Sequence, residues 1–484
     1  MMVATVSTVR RLLWAVFVLG VVARIWGWRI HDVLHYDEYF QVLEPPHWRL
    51  TGAGMLTWEW NDGVRSWVLP GYHGAWMALL RSCGVRDGAS IGTFLQLHWA
   101  VINASVVFIA FHGAAGVARR LSPARGGEVA NSDEGWQAGI AAALLCALFP
   151  QLFLYAHHTL SENPATLCLV GALVAACRAE EIARMPAARV LCLVSGGLFS
   201  LGVGLKVAWA PLALVGPLVL LARGQGRLVA WMLLGAVPPV LLFGVVDLFT
   251  WGTFLGSFVK YLIFNFVEGK AAQFGVEPWH WYLKVLHERL PFTLPLLLVP
   301  ALIGARATWP YLLSAFGLVA QLSTQGHKEE RFVIIVWPLI IIAAAGVGGA
   351  WLVQRRRWPN LVAAVASAAA VLADGGVHAA MRGVYERAWL RAQAAAARDP
   401  DAVALMMESS GHTGGMLWFS GRGPVFGFDE ALLKNDMITH VAVRRASERE
   451  QRVRDAGFVR VGAWGNVVLL KRTADADHGE SHPP

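Results

Sequence analysis

Two adjacent carboxylates, Asp37 and Glu38, follow directly on the first long apolar run, in the stretch HYDEYFQVLEPPHW. Side chains at neighbouring positions do not share a helix face, so the two acids are expected to do different jobs. A carboxylate in a half-dry setting at a membrane surface can have a raised pKa and act as a general base. The alternative is a solvated pair at a helix start, where acidic residues are favoured.

The next cluster, GMLTWEWNDGVRSW, carries Trp58, Glu59, Trp60, Asp62, Arg65 and Trp67. Indole rings prefer the headgroup layer, and an interfacial aromatic belt accounts for much of this composition. Tryptophans interleaved with charges also suit sugar or lipid-phosphate recognition, and Arg65 offers a planar fork that matches a phosphate. Further on, YAHHTLSEN places Glu162 next to another apolar run. His157 and His158 cannot share one helical face, so a two-histidine zinc site is not implied. Helix capping by Ser161 or Asn163 also explains this stretch. Lys206 lies between two apolar runs, where a lysine is costly unless it pairs, snorkels or faces a cavity.

Residues 247–282 form an aromatic-dense loop that contains Trp279, His280 and Trp281 in PWHWY. The sharpest feature is STQGHKEERF, where His327, Lys328 and Arg331 stand within five residues, interleaved with Glu329 and Glu330. Solvated charges flanking a span would give the same composition. Cations aimed at one point would instead neutralise a phosphate or pyrophosphate leaving group.

These residues need elements to hold them, and composition says which. The chain has 484 residues, 56% hydrophobic and only 15% charged. That leaves too little polar surface for a water-soluble chain, and it also excludes disorder. Apolar runs recur at about 12–30, 91–114, 137–155, 164–178, 190–205, 207–222, 229–248, 290–304, 309–322, 332–353 and 358–373. The expected architecture is an all-α polytopic membrane protein with about eleven crossings. The first run ends in Arg24, Trp26, Trp28 and Arg29 rather than a small-residue cleavage site, which predicts a retained helix.

Arginines fix the orientation. Arg10 and Arg11, Arg119, Arg120 and Arg125, Arg178, Arg184 and Arg189, Arg223 and Arg227, Arg306, and Arg355 to Arg357 occupy every second connection. Those connections and the amino terminus are expected in the cytoplasm. The segments 31–90, 156–163, 249–289, 323–331 and 374–484 then face the other side, and 67–82 is expected as a helix lying along the outer surface. The net charge of +8 belongs to these cytoplasmic loops, so nucleic acid is not an expected partner. Residues 1–373 are expected to form the membrane domain. Residues 374–484 are expected to form a small extracytoplasmic α/β appendage of three or four strands, drawn from GMLWFS, THVAVRR, FVRVGAW and NVVLLKR around the helical ASEREQRVRDAG, and ending in a frayed tail. The five cysteines form no CxxC pair and imply no metal or redox role.

Taken together, HYDEYFQVLEPPHW, LTWEWNDGVRSW, PWHWY and HKEERF resemble glycosyltransferase family 22, the GT-C-fold mannosyltransferases of GPI-anchor and N-glycan assembly. The resemblance spans about 30–335 in the same order. The family has His-Pro-Asp-Glu where this chain has His35, Tyr36, Asp37 and Glu38. What the resemblance implies is inverting transfer of mannose from a polyprenyl-phosphate-mannose donor, such as dolichyl phosphate mannose, to a lipid-linked glycan, giving an α-mannoside.

On that reading Asp37 is the general base and Glu38 positions acceptor or sugar. His327, Lys328 and Arg331 bind the donor phosphate with Arg65 and Lys206. Trp58, Glu59, Trp60, Glu162, Trp279, His280 and Trp281 serve substrate binding. No cofactor is implied, and no metal-ligand spacing stands out, although a divalent ion could bridge carboxylate and phosphate. The host membrane is the bacterial cytoplasmic membrane or the endoplasmic reticulum, with the site on the extracytoplasmic side. Two alternatives stay open: a polyprenyl-phosphate-sugar transferase with another sugar or acceptor, and a lipid-linked-sugar transporter, which would bury its charges mid-span.

Overall fold

The computed structural model describes residues 6–30, 35–121, 135–355, 384–408 and 417–473. Two compact units emerge. One comprises Met1–Arg29 with His98–Ala380, and the other Ile30–Leu97 with Met381–Pro484.

The first unit is a helical bundle. Among the described residues five helices are long and apolar enough to cross a bilayer: Val6–Ile30, Gly88–Leu121, Ala187–Leu205, Gly226–Trp251 and Glu330–Trp351. A sixth is possible if the bent pair Trp281–Glu288 and Thr293–Ile303 makes one crossing. The chain is therefore a multi-pass membrane protein. Of the other expected crossings, 137–155 and 207–222 correspond to shorter apolar helices, Trp136–Leu148 and Val207–Leu221. Those at 164–178 and 309–322 correspond to the helices Glu162–Glu181 and Ala305–Ser323. The run 358–373 lies outside the described residues.

Packing explains the order of the bundle. Val336–Arg355 is buried along most of its length against the helices Val106–Leu121 and Trp136–Leu148, whose facing positions are mostly alanine and glycine. In lipid there is no hydrophobic gain between helices, so close backbone approach through small residues must supply the cohesion. The tightest case joins Ala187–Leu205 to Gly226–Trp251. A Cβ on Gly196 would lie 1.7 Å from the Met232 carbonyl oxygen, and one on Gly235 would lie 2.0 Å from that of Leu193. Arg24 is fully buried within the first helix. It donates to Asn103 Oδ1 and to the carbonyls of Gly20, Cys146 and Ala147, so the cation has oxygen partners inside the bundle.

The second unit joins the helices of 35–97 to a small α/β fold. Its sheet has β1 (Ala404–Met407), β2 (Val425–Gly427), β3 (Ile438–Arg444), β4 (Phe458–Trp464) and β5 (Val467–Arg472) in the order β2-β1-β3-β5-β4. β1 is parallel to β2 and β3, while β5 runs antiparallel to β3 and β4. Helix Val384–Arg398 covers one face through Ala388, Trp389, Ala392 and Ala396. Helix Glu448–Asp455 covers the other through Val453, and Ser447 caps its start by accepting from the Glu450 N–H.

The sheet thus has five strands rather than three or four. The described part of GMLWFS, Leu417–Ser420, is a turn, because Trp418 is taken by the helical half of its unit. Its ring meets Tyr39 edge-on at 5.7 Å, and the Leu417 N–H donates to Glu44 Oε1 at 2.8 Å. The stretch expected along the outer surface is the helix Val68–Ser82.

Candidate active site

In the second unit, a wide π-helical turn, Glu38–Leu43, begins immediately after Asp37. Such turns carry an extra residue per turn and often occur beside functional groups. Glu38 is fully buried, and its carboxylate accepts the His35 backbone N–H at 2.9 Å. Asp37 is half-buried, with its carboxylate 3.9 Å from His35 Nδ1. One acid ties down the helix start while its neighbour keeps solvent access. Of the two, Asp37 is the one with solvent access.

The segment 58–65 is strapped to the π turn by two bonds. Gln41 Nε2 donates to Glu59 Oε1 at 3.2 Å, and the Trp60 indole donates to the Phe40 carbonyl at 2.8 Å. Arg65 Nη2 lies 2.6 Å from the same Glu59 oxygen. Glu59 is therefore the counter-ion of Arg65, and Trp60 is buried rather than lining an open groove; Trp58 is half-buried. His47, which the sequence reading did not single out, is buried. Its pKa is pushed down to about 4, by burial first and then by the Arg81 guanidinium, whose Nη2 is 3.3 Å from Nδ1.

In the first unit, the backbone is extended at Glu329 (φ −138°, ψ 147°). Glu329 precedes the short 3-10 turn Glu330–Val333 that carries Arg331, and the turn brings the Arg331 guanidinium back onto Glu329 beside His327. Glu329 accepts from Arg331 Nε and Nη2, both at 2.8 Å, and lies 3.1 Å from His327 Nε2. Arg331, almost fully buried, also approaches Glu162 Oε1 at 3.7 Å, and Lys206 Nζ reaches that oxygen at 2.6 Å. The Phe332 ring lies 4.4 Å from Lys206 Nζ and 5.2 Å from the Arg331 guanidinium carbon, a cation–π seat for both.

Glu162 sits just outside its predicted span. Burial alone would raise its pKa, but the charges of Lys206 and then Arg331 outweigh burial and hold it at about 2. It is ionised at neutral pH. Two cations and two carboxylates thus form a neutral, rigid array whose guanidinium is already oriented. A phosphate could exchange with Glu329 for the fork of Arg331.

Lys328 faces elsewhere. Its ammonium donates to the carbonyls of Glu277 (2.8 Å), Gly326 (3.4 Å) and Gln325. The Glu277 N–H in turn donates to the Gly326 carbonyl at 2.9 Å. These bonds join the PWHWY turn to the HKEERF loop, although about 50 residues of chain separate them. Burial lowers the Lys328 pKa. Trp279 and His280 are exposed and Trp281 is half-buried.

Glu329 and Phe332 were not among the expected site residues. The spacing His-x-Glu-x-Arg was the available signal, legible only once the short 3-10 turn at Glu330–Val333 is known. Among the described residues no group of three or more His, Cys, Asp or Glu side chains is placed to hold a metal ion.

Comparison with known proteins gives a consistent result. The sequence model of the Alg9-like mannosyltransferase family matches residues 14–391. GPI mannosyltransferase 3 of Drosophila melanogaster is 24% identical over 333 residues, covering 66% of this chain and 53% of that one. Mannosyltransferase APTG1 of Arabidopsis thaliana is 28% identical over 322 residues, covering 65% and 54%. The chain thus matches about half the length of these relatives. Among solved structures, ArnT from Cupriavidus metallidurans bound to undecaprenyl phosphate superposes with a TM-score of 0.59 at 13% identity, over 96% of this chain and 98% of that one. That likeness establishes the shared fold.

Proposed function

The chain belongs to the Alg9-like mannosyltransferase family, and on that premise we propose that it transfers mannose from a polyprenyl-phosphate-mannose donor to a hydroxyl of a lipid-linked glycan of the GPI or N-glycan assembly kind. The observation that carries the reading is the array of Glu162, Lys206, Glu329 and Arg331, which holds a buried guanidinium and a half-buried ammonium together over one aromatic ring.

The reaction is a single displacement with inversion. The acceptor oxygen forms a bond to the anomeric carbon as the bond from that carbon to the donor phosphate breaks. The Asp37 carboxylate takes the acceptor proton, and the polyprenyl phosphate leaves with the electron pair. Arg331, Lys206 and His327 stabilise the charge that develops on the phosphate, and they need little rearrangement because Glu162 and Glu329 already hold them. Lys328 shapes the loop by gathering its carbonyls. The aromatic residues of the PWHWY turn contact sugar or lipid.

A membrane-borne donor suits a site made of loops at helix ends. Eleven crossings with a cytoplasmic amino terminus set these loops on the extracytoplasmic side, an assignment supported by the arginine asymmetry.

The test is transfer from labelled polyprenyl-phosphate-mannose in membranes, with linkage analysis of the product. An α-mannoside on a glycolipid is the expected outcome. Transfer only from a donor with another sugar would replace the mannose assignment. Movement of lipid-linked sugar across vesicles without bond formation would replace the transferase itself.

A further inference from the structure

Helix Glu162–Glu181 carries a second charged cluster at its far end. Twenty residues separate the two by about 30 Å, the thickness of a bilayer's hydrocarbon core. At that end Arg120 Nη2 pairs with Glu180 Oε2 at 2.7 Å and donates to the Cys177 carbonyl at 2.9 Å, while Arg223 Nε is 3.1 Å from Glu180 Oε1. Glu181 is engaged by Arg119 at 3.1 Å and by Arg178 at 2.7 Å.

These groups border a cavity of about 310 Å³ whose lining includes Arg120, Arg223, Arg306, Glu180, Val219 and Trp309. Arg306 is exposed and makes no ion pair among the described residues. Three arginines line the cavity against one glutamate, leaving two positive charges in its wall. Apolar side chains and an indole form the rest of its wall.

We propose that this cavity binds the phosphate headgroup of an anionic phospholipid, with Arg306 and Arg223 on the phosphate and the acyl chains running beside Val219 and Trp309. Three observations select a lipid over a soluble anion. The cavity lies at the level where headgroups sit when the Glu162 cluster occupies the opposite interface. Its wall is half apolar, which a free phosphate does not need. The uncompensated charge falls on arginines, whose planar fork matches a phosphodiester. Basic pockets between membrane helices on the arginine-rich side commonly take such headgroups.

Purified full-length protein, stripped of lipid in detergent, tests the assignment by native mass spectrometry and thermal unfolding. Phosphatidylglycerol is expected to bind and to raise the unfolding midpoint, whereas phosphatidylcholine and inorganic phosphate are not. Arg306→Ala is expected to weaken phosphatidylglycerol binding about fivefold, the effect of one arginine near an anionic headgroup, and Arg306→Lys should recover part of it. Arg223→Ala should act the same way. Both side chains are exposed, so the variants retain the fold and mannose transfer. Equal phosphatidylglycerol binding by wild type, Arg306→Ala and Arg223→Ala overturns the proposal. So does stabilisation by inorganic phosphate matching that by the lipid.

Discussion

Lys206 and Glu162, 44 residues apart, meet at 2.6 Å inside the helical bundle, and Arg331 shares the same carboxylate oxygen at 3.7 Å. Glu162 is thus shared between two cations, while Arg331 also keeps its two bonds to Glu329. Breaking a buried pair leaves an uncompensated charge, which costs about 3–5 kcal/mol. Glu162→Ala should therefore lower thermal stability by that order. The double variant Glu162→Gln with Lys206→Met should regain much of the stability yet stay inactive, because the ammonium is gone. Recovered transfer in that variant would take Lys206 out of the reaction.

Asp37→Asn should lower kcat by about 10²–10⁴-fold, the usual worth of a general base, with an unchanged fold by circular dichroism. Glu38→Gln keeps a carbonyl oxygen for the His35 N–H and should lose far less. Assays with labelled donor on both variants check the division of labour. Similar losses in the two would contradict it.

Arg331→Lys removes the fork that engages both oxygens of Glu329. It should raise the donor KM more than it lowers stability. Lys328→Ala should do the reverse, loosening the loop that its ammonium gathers while leaving donor KM nearly unchanged. Steady-state kinetics beside thermal unfolding separates the two patterns.

Acid sensitivity follows from Glu162. Its pKa is depressed from 4.5 to about 2, so its stabilising contribution is complete above pH 4.5 and is lost as pH falls to about 2. The loss is on the order of 3 kcal/mol. Unfolding followed by tryptophan fluorescence should steepen in that window for the wild type. In the Glu162→Gln, Lys206→Met variant the same curve should be flatter.

Gly196→Val places carbon against the Met232 carbonyl. Overpacking of this kind costs about 1–3 kcal/mol and more when only backbone can yield. A lowered unfolding midpoint, with unchanged KM in the folded fraction, is the expected result.

Much of the bundle was legible because apolar runs of spanning length have few other uses. The run read at 164–178 became the helix Glu162–Glu181, and the four motifs that carried the family resemblance agree with the match over 14–391. Side-chain partnership was less legible. Glu162 carries no mark in the sequence of being the counter-ion to Lys206, because its partner lies 44 residues away. The grouping of His327, Glu329 and Arg331 depends on one extended residue followed by a short 3-10 turn, which no periodicity announces in a short loop. β1 and β2 escaped notice because a fully buried four-residue run and a three-residue edge look like any apolar stretch.

The helix Glu162–Glu181 has ion-paired anchors at both extremities, which resist its sliding to suit a membrane of different depth. It behaves as a gauge, and mismatch must be absorbed by the surrounding lipid or by tilting. Catalytic rate in reconstituted vesicles should accordingly pass through a maximum as acyl-chain length is varied, since thinner or thicker hosts would strain the very contacts that orient Arg331.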